Sequence, residues 1–236
     1  MRKGAETRER ILEIAEAAVL AKGFGATSIE EVIAEAGITK SGFFYHFKDK
    51  NELARALMLR YVKENDRIFD DVFHRGRQLS DDPLQAFLIT LKLLAELMAD
   101  LPNGHPGCLI STFTYQERLF DRDVRDIASS AVRSWNRRFY NALNEIARVY
   151  PPREGVAIDD VANMFSCVVD GGIIMARGLG DPRVLERQIL AFRSFVKMLF
   201  APAALHSKQP DPVVVQAEWR ATGAHASSAR GSADVE

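Results

Sequence analysis

Apolar residues return at intervals of three and four almost from end to end of the chain. Ile11, Ile14, Ala15 and Ala18 keep the i, i+3, i+4, i+7 spacing of one helix face, and so do Ile29, Val32, Ile33 and Ala36. Leu84, Phe87, Leu88, Leu91, Leu94, Ala95 and Met98 extend such a stripe along a longer helix. No stretch alternates with period two over the length of a strand. The sequence therefore predicts an all-α protein.

Cap and breaker residues divide that pattern into helices. Gly23 and Gly25 end the first. Ser28-x-x-Glu31 is a capping box for the second, and Gly37 closes it. Thr39 caps the third, and Asp49-x-x-Glu52 caps a fourth that runs past residue 70. Pro83 opens a fifth. The loop Pro102–Gly107 separates it from a sixth near residues 108–119. Asp121 caps a long seventh, which ends before Pro151-Pro152, and an eighth spans roughly Ile158 to Arg177. Asp181-Pro182 opens the ninth as an N-cap followed by proline at the first helical position, and Pro202 stops it. From residue 203 onward the chain is rich in Ala, Ser, Gly and Pro with few large apolar residues. That composition predicts a disordered tail over 203–236.

Composition narrows the function classes. The net charge of this 236-residue chain is −1, so any nucleic-acid affinity must come from a local cluster. The opening MRKGAETRER lacks the apolar core of a secretory signal. The longest nearly uncharged run, Val161 to Ala176, is short for a bilayer span and contains Asp170. Two cysteines, Cys108 and Cys167, imply no disulfide framework, and a cytoplasmic protein is expected. His46, His74, His105, His206 and His225 are scattered, and neither cysteine has metal-ligand spacing to them. No nucleophile–base–orienter set and no phosphate loop is visible, so no catalytic residue, metal or cofactor is expected.

The segment Ser28–Phe47 carries the most chemistry. A helix of about eight residues ends at Ala36-Gly37-Ile38, and another starts at Thr39-Lys40-Ser41. Two short helices joined by a tight glycine turn form the helix-turn-helix, whose second helix enters the major groove. Lys40 and Ser41 stand where donors reach base edges or phosphates, and Gly42 lets the backbone approach closely. Thr27 and Ser28 put hydroxyls and helix N-terminal amides at an anion site. Lys48 and Lys50 carry charge for phosphates, as do Arg2, Lys3 and Arg8 if the N-terminal arm lies near a duplex. By spacing alone this is equally a plain helical hairpin.

The run Thr7–Leu57 contains, without gaps, Ile11-Leu-x-x-Ala15, Lys22-Gly-Phe, Ala26-Thr-Ser-Ile29, Ile33-Ala-x-Ala-Gly-Ile38, Thr39-Lys-Ser-Gly-Phe-Phe-Tyr-His-Phe47 and Lys50-x-x-Leu53. On these motifs it closely resembles the N-terminal domain of the TetR/AcrR family of transcriptional regulators. It implies that Thr39, Lys40, Ser41 and Gly42 contact bases and nearby phosphates. Tyr45, His46, Lys50, Thr27 and Ser28 then contact phosphates, while Phe43 and Phe47 fill the core. Phe44 departs from the family's usual tyrosine and loses its hydroxyl contact, leaving packing against the sugar-phosphate backbone. The resemblance further implies three helices over residues 1–50 as a DNA-binding domain, joined by helix four to a helical bundle over 51–202 that binds a ligand and dimerises.

In that larger region the apolar surplus offers candidates for a pocket between helices: Phe87, Leu91, Cys108, Phe113, Trp135, Phe139, Phe165 and Met175. Each is equally at home in an ordinary core. Asp170, beside Gly171-Gly172, is open to three readings: ligand anchor, partner of Arg177, or solvent-facing edge. His105 is expected on a surface loop, and Arg138 meets either an anionic ligand or solvent. Cys108 is placed in the first turn of helix six, where a helix N-terminus favours thiolate, and its Gly-Cys-Leu setting resembles electrophile-sensing members of the family. Gly171 and Gly172 permit close helix approach, and Ile189, Phe192, Val196 and Leu199 form a stripe. These are the expected dimer interface, or else they face their own domain.

The function expected is a repressor that binds a palindromic operator in double-stranded DNA as a homodimer and is released by a small apolar or aromatic effector. An electrophile sensor acting through Cys108 and a DNA-binding architectural protein without an inducer are the alternatives.

Overall fold

The structure, a computed structural model, describes residues 2–153 and 155–201. The expectation about a tail over 203–236 lies outside them. Nine α-helices and no strand are present among the described residues: α1 (Arg2–Lys22), α2 (Ile29–Ala36), α3 (Lys40–His46), α4 (Lys50–Leu79), α5 (Pro83–Ala99), α6 (Leu109–Tyr115), α7 (Arg122–Val149), α8 (Ile158–Leu179) and α9 (Arg183–Leu199). A single 3₁₀ turn, Glu117–Leu119, follows α6.

Side-chain caps start most of these helices. The Ser28 hydroxyl accepts from Glu31 N at 3.1 Å, Thr39 Oγ1 from Gly42 N at 3.0 Å, Asp49 from Glu52 N at 2.8 Å and Asp82 from Gln85 N at 2.8 Å. The box at Ser28 is only half made, because the Glu31 carboxylate turns to Lys22 Nζ at 2.6 Å. Gly37 ends α2 at φ 60°, a left-handed conformation that costs glycine nothing. Two starts differ from the sequence reading. Cys108 is the N-cap of α6 rather than part of its first turn. Pro182 takes the N-cap position of α9, and Asp181 supports the helix by accepting from Arg183 N at 3.0 Å.

The apolar faces close two buried clusters. One gathers Ile11 and Ala15 of α1, Val32 of α2, Phe43 of α3 and Leu57 of α4, together with Phe113 of α6. The other gathers Phe73 of α4, Leu91 of α5, Phe139 of α7, Phe165 of α8 and Phe192 of α9. Each of the larger side chains among them contributes about 1.5–3 kcal/mol by leaving water. Helix α4 belongs to both clusters, and Cys108 packs against both. The α4–α5 crossing is closest at Gly76, where an added Cβ would lie 2.2 Å from Thr90 Oγ1 and 2.7 Å from the Ala86 carbonyl oxygen.

Candidate nucleic-acid interface and effector cavity

The N-terminal end of α3 is open to solvent. Thr39, Lys40 and Ser41 are exposed, and the Thr39 and Ser41 hydroxyls lie 3.0 Å apart. Phe43 is fully buried and anchors the helix, so its neighbours must point outward. Phe44 is 42% exposed and Tyr45 82%. His46 is half-buried, its ring centroid 5.0 Å from that of Tyr45. Gly42 is half-buried and Ser28 is exposed. These residues form one polar and aromatic face whose chemistry suits phosphates and base edges.

Two expected phosphate contacts are turned inward. Thr27 is buried, and its hydroxyl donates to the Gly23 carbonyl at 3.0 Å. Lys50 donates to the Phe24 carbonyl at 2.8 Å and lies 4.5 Å from the centroid of the Phe24 ring. Burial lowers the Lys50 pKa. The physical reason is shared: both donate to carbonyls of the turn that follows α1, at Gly23 and Phe24. Lys48 remains exposed, and Arg8 lies over the Phe47 ring at 4.9 Å.

That turn between α1 and α2 is also held from the larger region. The Gln116 side-chain oxygen accepts from Gly25 N at 3.0 Å. A Cβ on Gly23, which sits at φ 88°, would come within 2.5 Å of Gln116 Nε2. Phe24 packs against both Phe113 and Phe120, at 5.4 and 4.7 Å between ring centroids, and those two stack on each other at 4.1 Å. From α8, Arg177 donates to the Leu20 carbonyl at 3.3 Å. Arg60 of α4 ion-pairs with Glu9 and Glu16 of α1. Burial raises the Glu16 pKa despite that pairing.

A cavity of about 110 Å³ lies among α4, α6, α7 and α8. Phe69, Trp135, Phe139 and Phe165 supply its aromatic walls, and Tyr61, His105, Cys108 and Asp170 its main polar groups. Phe139 and Phe165 stack at 4.0 Å, and Phe69 meets Trp135 and Phe139 edge-on at 5.9 and 5.7 Å. Trp135 Nε1 donates to Asp66 at 2.9 Å, which fixes its ring. The Ser111 hydroxyl donates to Asp170 at 2.8 Å. His105 is drawn in from its loop, where Nδ1 accepts from Gly107 N at 3.2 Å; burial lowers its pKa, and the Asp170 charge opposes that shift.

The family model of bacterial regulatory proteins, tetR family, matches residues 11–57. The chain is 31% identical over 171 residues to the probable HTH-type transcriptional regulator ArpR of Pseudomonas putida, covering 70% of this chain and 78% of that one. It is 30% identical, with the same coverage, to the HTH-type transcriptional regulator TtgR of the same species. The chain belongs to the TetR family. A TetR-family regulator from Agrobacterium tumefaciens has the same fold, with TM-score 0.69 and 19% identity over 84% of this chain and all of the other. This TetR-family chain is accordingly a DNA-binding transcriptional regulator.

Of the side chains expected around an effector, the cavity of this TetR-family protein takes Cys108, Trp135, Phe139 and Phe165. Leu91 is fully buried in the core, Phe87 packs there against Phe73, and Phe113 is committed to the ring stack around Phe24. Met175 is on the opposite side of α8, 51% exposed. The Cys108 pKa is raised, first by burial and then by the Asp170 charge, and the hydrogen bonds from Ser111 at the start of α6 and from Tyr61 pull it down without cancelling that shift. The thiol accepts from Ser111 N at 3.4 Å. Burial also raises the pKa of neighbouring Tyr61. Arg138 ion-pairs with Asp70 and covers the Phe73 ring at 5.9 Å.

The expected dimer stripe is likewise inside. Ile189, Phe192, Val196 and Leu199 are buried in their own core, and Gly172 is pressed on α9, where an added Cβ would meet Leu185 Cδ1 at 2.8 Å. Gly171 has open space beside it. The outward face of α8 instead presents Cys167, Ile174, Met175 and Gly178. Sequence reasoning missed His105, Tyr61 and Phe69 as cavity residues. Their signal was faint: a histidine between two glycines in a loop, and aromatics one face away from the main stripe.

Proposed function

We propose that this regulator is a cytoplasmic repressor that grips a palindromic operator as a homodimer and releases it when a small apolar or aromatic molecule enters the cavity. Residues 1–50 are the reading head, and 51–202 bind the effector and dimerise. Two heads related by a two-fold axis read half-sites about 34–36 Å apart in adjacent major grooves. Thr39, Lys40, Ser41, Tyr45 and His46 carry the contacts. The partner's α8 covers Ile174 and Met175, with Gly171 and Gly178 allowing close approach.

One observation carries the effector response. Helix α6 has Ile110 and its N-cap Cys108 on the cavity, while Gln116, directly after its last residue, holds the head through Gly25. A ligand that displaces α6 moves the head with it. That is coupling between two distinct sites, and it is reciprocal: bound DNA weakens the ligand by the same factor.

The test is fluorescence anisotropy on a duplex selected from a random pool. A compound found by thermal shift is added to saturation, and operator affinity is expected to fall at least about tenfold, within the range of typical allosteric couplings. Unchanged affinity at saturation would overturn the induction model.

A further inference from the structure

We propose that the cavity selects a compact organic cation, a protonated amine on a single ring, held by Asp170 among the aromatic walls. The proposal rests on the reading of this cavity as the effector site. It starts from the charge inventory. Among the described residues Asp170 is the one carboxylate lining the cavity, and no lysine or arginine lines it. Among the described residues no basic side chain ion-pairs with Asp170; its described hydrogen bond is the one received from the neutral Ser111 hydroxyl. Asp170 is half-buried, so its charge favours a positive partner in this space, and an anionic ligand there would meet like charge.

The walls agree with that sign. Phe69, Trp135, Phe139 and Phe165 line the same space, and an aromatic ring carries its electron density on its faces. Cations are drawn to such faces most strongly where water is excluded. His105 does not compete for the role, because burial favours its neutral form. Size sets the rest. A cavity of about 110 Å³ is on the scale of one that holds a benzene ring, and well below the several hundred Å³ of sites for drug-sized molecules.

The test uses the full chain and isothermal titration calorimetry at neutral pH with three single-ring probes of similar shape: benzylamine, benzyl alcohol and benzoate. Benzylamine is expected to bind roughly tenfold or more tighter than benzyl alcohol, and benzoate most weakly. In Asp170→Asn the benzylamine advantage should disappear while benzyl alcohol binds within about twofold of wild type, which also reports an intact cavity. If the variant does not fold, the order of the three probes on the wild-type chain decides alone. Benzoate or benzyl alcohol binding as tightly as benzylamine overturns the cation assignment, and so does binding of none of the three. Release from operator DNA by some other, uncharged compound would then leave the repressor reading standing and this inference refuted.

Discussion

The side-chain amide oxygen of Gln116 accepts a hydrogen bond from the backbone nitrogen of Gly25 at 3.0 Å. Ninety-one positions separate the two residues in sequence, and the bond joins the end of the α6 segment to the turn that launches the reading head. Because the other end of α6 borders the cavity, the proposed induction would pass an effector's displacement to the head through this contact.

Gln116→Ala should therefore separate stability from coupling. Losing one hydrogen bond at an exposed turn costs about 1 kcal/mol, a fall in Tm of roughly 2–4 °C. The larger effect is expected on the response: the ratio of operator affinities without and with effector should shrink severalfold. Anisotropy titrations of wild type and variant give both ratios. Equal ratios would show that Gln116 is only a structural strut.

Lys50 and Lys40 should behave as opposites. Lys40 is exposed at the start of α3, whereas Lys50 is spent on the Phe24 carbonyl. Lys40→Ala is expected to reduce the slope of log affinity against log salt by about one. Lys50→Met should leave that slope unchanged while lowering Tm. A reduced slope in the Lys50 variant would return that side chain to the DNA.

His105 makes stability depend on pH. Its folded pKa lies below the ordinary value of 6.5 because burial penalises the charged imidazolium. The unfolded chain thus binds the proton more readily, and the contribution is full above about pH 6.5 and lost as pH falls through the window beneath it. His105→Asn keeps an acceptor for Gly107 N and removes the titration. Denaturant unfolding at about pH 7.5 and about pH 5.5 should show the wild type losing more stability than the variant on acidification. Carboxylates with lowered pKa, such as Asp82 beside Tyr150, act in a more acidic window.

Gly172 and Ile174 separate folding from association. Gly172→Ala forces a Cβ against Leu185 and should cost about 1–3 kcal/mol of stability as overpacking, with little direct effect on self-association. Ile174→Glu places charge on an exposed apolar face, so it should leave Tm of the monomer near wild type and dissociate the dimer. Light scattering behind a sizing column separates the two outcomes. A dimer that survives Ile174→Glu would move the interface elsewhere.

The helices were legible in the sequence because their signals are local. Thr39 two positions after Gly37, or Asp82 before Pro83, declares a boundary whatever the rest of the chain does. The head was legible for the same reason, with Phe43 and Phe47 in and Tyr45 out. Side-chain facing in the larger region was not, because it depends on which helix lies across which. The stripe of Ile189, Phe192, Val196 and Leu199 is the strongest on α9, and the strongest stripe goes to the protomer's own core, which leaves the weaker face of α8 for the proposed association. The surroundings of Cys108 were hidden in the same way. A helix start is visible in sequence, but the enclosure that raises the thiol pKa comes from chain segments far away along it. Lys50 was drawn inward by a carbonyl that only the folded turn exposes.

The Phe24 ring, packed against the stacked pair Phe113 and Phe120, makes the reading head a poor candidate for simple transplantation. A chimera joined at residue 50 would keep the groove-facing chemistry of α3 yet set a foreign aromatic, or none, against those two rings, and would leave Gln116 without its backbone partner. Exchange of DNA specificity between this regulator and a relative therefore has to move the seam, carrying Phe113, Gln116 and Phe120 with the head. Otherwise, under the proposed induction, it is expected to yield a protein that recognises its site and no longer hears its ligand.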